Sequence, residues 1–150
     1  MYTKDELKQL KKEFWEGFGV FCSNHPVLGR RKSKFMLYNT KMKGVELKFD
    51  ANRDGAFVIL ELNHTSEEDR LAKYEQFERY KVVMEEDFPQ GLMWNFAFVR
   101  ETGNEVCRIY SQKTSIDLHR RSDWMAFYRF MAEEMLKLER AFRNVKEAIE

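Results

Sequence analysis

Apolar residues recur along the last third of the chain with the period of a helix. Trp124, Tyr128, Met131, Met135, Leu138, Phe142, Val145 and Ile149 follow one another at steps of 4, 3, 4, 3, 4, 3 and 4. Steps of this kind keep all of these side chains on one face, and they predict a helix more than 25 residues long. A seam that long needs a cover, either a sheet of the same chain or the matching helix of a second copy. A second helical pattern opens the chain. Thr3 and Glu6 form an S/T-x-x-E capping box, and Leu7, Leu10, Phe14, Phe18 and Phe21 keep one apolar face with Trp15 at its border. Gly17 and Gly19 weaken the last turn, and Asn24, His25 and Pro26 end it.

The middle of the chain changes period. Residues 35–38 are a short candidate strand, and Val45, Leu47 and Phe49 alternate with Glu46 and Lys48 as in a strand with one wet face. Asn52, Arg53, Asp54 and Gly55 make a turn, because Asp-Gly readily supplies positive φ. Residues 56–63 are the strongest strand, with Val58, Leu60 and Leu62 on one face and Phe57 and Ile59 on the other. It is therefore expected to be central and covered in part on both sides. A helix is predicted from Thr65 or Ser66, with Glu67, Glu68 and Asp69 favoured in its first turn by the helix dipole. Leu71, Tyr74, Phe77, Met84 and Phe88 carry its stripe, and Pro89, Gln90 and Gly91 break it. Residues 93–100 and 105–110 are two further strands around a turn at Thr102, Gly103 and Asn104. A polar connection, residues 111–120, leads to the long helix, capped by Ser122 or Asp123. The order is α-β-β-β-α-β-β-α. It predicts an α+β fold: one domain over residues 1–150, with about five strands in a mainly antiparallel sheet packed by three helices.

Size and composition bound the function loosely. With 150 residues and 43% hydrophobic content the chain can bury a core without disulfides or metals. Charged residues are 34% of the chain but cancel to +1, so the net field favours neither nucleic acid nor an acidic substrate. Cys22 and Cys107 lie far apart and form no C-x-x-C pair, and two buried thiols are expected. The polar N-terminus lacks the apolar core of a signal peptide, and no run of about 18 apolar residues occurs. A cytoplasmic protein with no membrane contact is the expectation.

Arg108, Ile109 and Tyr110, then Thr114, Ser115 and Ile116, then Asp123 and Trp124 opening a long amphipathic helix, resemble a bacterial domain family of unknown function. The strand at residues 57–62, the acidic helix start with Phe77 after it, and Lys11, Lys12, Glu13, Phe14 and Trp15 are similar to that family as well. The resemblance spans nearly the whole chain. It implies a domain that occurs alone or at the C-terminal end of larger proteins, some with nuclease-like N-terminal parts. Its motifs are packing motifs and carry over no catalytic residue.

Candidate chemistry is sparse. The element order also suits a restriction-endonuclease-like core, in which an Asp and a Glu/Asp-x-Lys hold Mg²⁺ and help activate water. Asp50 and Glu61 would be the carboxylates, but Asn63 stands where that apparatus needs Lys. The plain alternative makes Glu61 a polar side chain on the less buried face of its strand. Arg30, Arg31, Lys32 and Lys34, continuing toward Lys41 and Lys43 with Phe35 and Tyr38 between, are candidate nucleic-acid contacts, set against an ordinary solvated loop. His119, Arg120 and Arg121 form a second basic cluster. Arg108, inside a strand, is expected to pair with a carboxylate and tie the sheet to a helix; an anion site is the alternative. Trp94, Phe96 and Phe98 alternate as a core-facing row rather than a base-stacking platform. His25, His64 and His119 lack metal-ligand spacing, and no phosphate loop, nucleophile motif or cofactor motif occurs. The expected function is a non-catalytic interaction or accessory module contacting a protein, a nucleic acid or its own copy, with a homodimer through the Trp124–Ile149 helix as one form. The alternative is the divergent Mg²⁺-dependent nuclease.

Overall fold

The computed structural model of the chain describes residues 2–30 and 40–150. The elements are α1 (Lys4–Ser23), β1 (Val45–Asn52), β2 (Gly55–Leu62), α2 (Glu67–Arg79), α3 (Lys81–Met84), β3 (Met93–Val99), β4 (Glu105–Lys113) and α4 (Trp124–Ile149), with short 3-10 turns at Leu28–Arg30 and Arg121–Asp123. The fold is α+β, and the strands form one antiparallel sheet in the order β1-β2-β4-β3. Among the described residues that sheet has four strands rather than five. The fifth expected strand, residues 35–38, lies outside the described residues.

The described residues also form four helices rather than three. The predicted middle helix breaks at Tyr80, whose backbone leaves helical geometry (φ −106, ψ 25) and whose N–H donates to the Phe77 carbonyl one residue short of the α pattern. Four positions after Phe77 stands Lys81, so an unbroken helix would carry an ammonium into the stripe. The break keeps Lys81 exposed and turns Met84 and Phe88 inward. Helix starts follow the sequence reading. Thr3 accepts from the Glu6 amide at 3.1 Å and Ser66 from the Asp69 amide at 3.2 Å. Asp123 precedes α4 but does not cap it. Its carboxylate accepts from Arg120 and from the backbone of Asp117, both at 2.9 Å.

The helices lie against one face of the sheet. Ala56, Val58, Leu60 and Leu62 of β2 and Cys107 and Ile109 of β4 turn to that face and join the core with the α4 seam, in which Tyr128 to Ile149 are buried. The cover for the seam is thus the chain's own sheet and helices. Phe14 anchors α1 on α4. Its ring meets Trp124 and Phe127 edge-on with centroids 5.3 Å apart, and its carbonyl accepts from the Tyr128 hydroxyl at 2.7 Å. Gly17 is required here, because a Cβ would collide with that hydroxyl. Both cysteines are buried and unbridged, and burial pushes the Cys107 thiol up to about 11.

β3 departs from the expected alternation. Asn95 pairs with Arg108 and Phe98 with Val106, so β3 carries one residue more than β4 between these pairs. The bulge switches faces along β3. Trp94 sits on the helix side and donates to Glu85 at 3.0 Å, Phe96 is exposed, and Phe98 lies on the opposite face.

Because the seam is internal, Met135→Lys is expected to prevent folding rather than to convert a dimer into a folded monomer, and Leu138→Ala to cost about 2–5 kcal/mol. Circular dichroism with size-exclusion chromatography checks the first, and urea unfolding the second.

Candidate functional site

Among the described residues the second face of the sheet carries no helix, and its own side chains cover one another. Pairing sets Ile59 between Lys48 and Tyr110, and Glu61 between Glu46 and Arg108. Glu61 has no exposed surface although it points away from the helices. Its cover is cationic. Lys48 Nζ lies 2.6 Å from Oε2, which also receives Arg100, and Arg108 places Nε and Nη2 each 3.1 Å from Oε1. Phe98 closes the group from above, with the Arg108 guanidinium 3.9 Å from its ring centroid. Lys48 reaches Glu46 as well, at 3.5 Å. Three cations against two carboxylates leave the cluster near neutral.

Burial by itself would raise the Glu61 carboxyl. The hydrogen bonds and charges of Lys48 and Arg100 outweigh it and hold the group below the usual carboxylate range. Such a carboxylate stays ionised at neutral pH, with both oxygens occupied. It is a poor proton acceptor, and a metal ion would have to displace a cation to reach it.

Asp50 does not join it. Asp50 faces Phe57, four residues along β2 from Glu61, which at strand spacing is about 13 Å. Its Oδ1 accepts from the Ala51 amide at 2.9 Å, and it edges a shallow cleft of about 210 Å³ together with Asp54, Phe57, Phe98 and Tyr110. Asn63, in the position a nuclease would give to Lys, has its backbone N–H bound to the Gly44 carbonyl at 2.8 Å. Among the described residues no group of three His, Cys, Asp or Glu side chains is placed to hold a metal ion. The cluster itself was only partly legible. Arg108 does pair with a carboxylate, but one on the adjacent strand, so it ties strand to strand rather than sheet to helix. Lys48 shares the wet face of β1 with Glu46, which the alternation shows. Arg100 reaches Glu61 only through the β3 bulge, for which the sequence has no signal.

Of the four basic residues singled out for nucleic acid, Arg30 is exposed at the end of a 3-10 turn. Arg31, Lys32 and Lys34 lie outside the described residues. The second basic cluster is occupied internally. Arg120 pairs with Asp123 and Arg121 with Glu13, and the Arg121 guanidinium lies 4.8 Å from the Trp124 ring centroid. His25 accepts from the Val27 and Leu28 amides through Nδ1, at 3.1 and 3.2 Å, which puts its proton on Nε2, 2.9 Å from Glu133. The His64 ring packs on Gly44, and His119 meets Tyr2 edge-on.

The sequence profile of a domain of unknown function, DUF4268, matches residues 10–146. The chain belongs to this family. No curated protein and no solved structure matched the chain. The DUF4268 match runs from α1 almost to the end of α4 and so includes the whole sheet and the Glu61 cluster. No described helix in it is long and apolar enough to cross a membrane.

Glu61→Gln is expected to destabilise the protein by about 2–3 kcal/mol at pH 7. That is less than a fully enclosed pair would lose, because Lys48, Arg100 and Arg108 keep 32%, 28% and 15% of their side-chain surface and can rehydrate. A folded carboxyl held below its unfolded value contributes stability that is full above the unfolded value and is lost as pH falls through the folded one. The gap between wild type and Glu61→Gln should therefore shrink below about pH 4. Urea unfolding of both proteins across pH 3–7 checks this.

Proposed function

We propose that the chain is a non-catalytic interaction module of a bacterial cytoplasmic protein, acting alone or beside a nuclease-like partner domain. The observation that carries this reading is Glu61. The most buried carboxylate of the helix-free face is closed over by Lys48, Arg100 and Arg108, so the polar centre of the sheet serves cohesion and offers no free acid, base or ligand.

The same cluster favours a protein over a nucleic acid as the partner of this face. Binding to a polyanion draws on cations that can release counterions, and here the cations already hold carboxylates. Phe57, Phe98 and Tyr110 remain half-exposed beside them, an aromatic and charge-balanced surface of the kind that protein interfaces use. The nuclease alternative needs Asp50 and Glu61 within about 5 Å around one metal ion, and their register sets them well beyond that.

Purified protein should leave single- and double-stranded DNA and RNA intact with Mg²⁺, and should bind short oligonucleotides weakly even at low salt. Gel assays and fluorescence anisotropy read both. Mg²⁺-dependent cleavage lost in Glu61→Ala would replace the module with an enzyme. Salt-sensitive binding lost when Arg30, Arg31, Lys32 and Lys34 become Ala would make nucleic acid the partner.

A further inference from the structure

β4 outruns its outer neighbour. β3 begins to pair at Met93, opposite Tyr110, whereas β4 continues through Ser111, Gln112 and Lys113, which pair with Val58, Phe57 and Ala56 on the β2 side. On the β3 side these three residues meet no strand among the described residues. The chain before β3 turns away at Gly91, whose φ of +76 suits glycine. What remains beside the bare strand edge is a groove of about 500 Å³, floored by residues 111–114 and walled by Phe88, Met93, Phe130 and Glu134. It shares Lys113, Phe130 and Glu134 with a second depression along α4 that takes in Arg129.

An unpaired edge of this kind is a template for an added strand, since its N–H and C=O groups have only water to bond. Charge selects the strand. Glu134 is held by Ser111 at 2.9 Å and Lys137 at 2.8 Å, and Glu133 by His25 at 2.9 Å. Lys113 of the groove and Arg129 of the adjoining depression have no carboxylate within ion-pair distance among the described residues, so the carboxylates of the two hollows are engaged and these two cations are not. Lys113 pairs with Ala56, which places it on the helix side, whereas Met93 pairs with Tyr110 on the other. A strand added here would set alternate side chains against cations on one face and against Met93 and Tyr110 on the other.

We infer that the groove beside Ser111, Gln112 and Lys113 takes an extended acidic peptide of a partner protein, added to β4 in line with β3, with its carboxylates on Lys113 and Arg129. This rests on the interaction-module reading and names the partner's chemistry. The test is an NMR titration of the ¹⁵N-labelled protein with an acetylated, amidated Val-Glu-Val-Glu-Val-Glu peptide, its Val-Lys counterpart, and an acidic version N-methylated at alternate residues. The acidic peptide should shift the amides of Ser111, Gln112, Lys113 and Met93. The basic peptide should not, and N-methylation should remove the effect because it removes strand pairing. Lys113→Glu with Arg129→Glu, both at the surface and with an unchanged free-state spectrum elsewhere, should weaken binding by about tenfold or more. No shift at millimolar acidic peptide, shifts that survive N-methylation, or equal binding of the basic peptide would overturn the inference, as would a single-stranded oligonucleotide moving the same amides. A negative peptide result together with intact DNA and RNA under Mg²⁺ ends this inference alone, whereas cleavage ends the module reading.

Discussion

The long stripe of α4 packs on the helix side of β2, and the other elements arrange themselves around that contact. Each large side chain buried there contributes about 2 kcal/mol before the entropy of ordering it is counted. Tyr128, Met131, Met135, Leu138, Phe142, Val145 and Ile149 are all buried, and Val58, Leu60 and Leu62 lie in the same core. α1 enters through Phe14 and the Tyr128 hydroxyl, and α3 through Met84. With the helices gathered on one face, an antiparallel sheet of hairpins is left with a second face to close by other means.

Glu61 and its cations close it. Burying a carboxylate is costly, and its pairing offsets that cost only when the donors are well placed. Here the donors come from β1, from β4 and from Arg100 just past β3, so the cluster forms only when the strands are in register. A slip of one residue on β2 would turn Glu61 into the apolar layer and Leu60 out of it. The seam on one face and the ion cluster on the other therefore select the same register. That cohesive role engages both oxygens of Glu61, which supports the proposal that this face makes contacts.

The edge proposed to take a partner strand comes from an irregularity of the sheet. β3 carries a bulge and starts late, so among the described residues β4 keeps a stretch of edge with no strand beside it. Among the described residues Lys113 and Arg129 stand next to that edge without acidic partners, whereas Arg120, Arg121 and Arg140 are each paired with a carboxylate. The molecule thus separates charges that hold it together from charges left available to something else.

Much of the fold was written in the local pattern. The steps between Trp124 and Ile149 determine a helix and its inner face, Thr3 and Ser66 determine helix starts, and Asp54-Gly55 determines the hairpin that joins β1 to β2, because each depends on neighbours a few residues away. The break at Tyr80 and the bulge in β3 were not legible, since each is decided by which layer must receive the next apolar side chain. Trp94, Phe96 and Phe98 alternate in sequence, but only the bulge decides that they do not share a face. The Glu61 cluster divides the same way. The chain determines that Glu61 and Lys48 stand on the wet faces of their strands. Strand order and register decide that Lys48, Arg100 and Arg108 converge on Glu61, that Asp50 stays four residues away, and that the long seam folds onto its own sheet. Those are contacts between residues far apart in the chain, and no local periodicity encodes which distant surface will meet another.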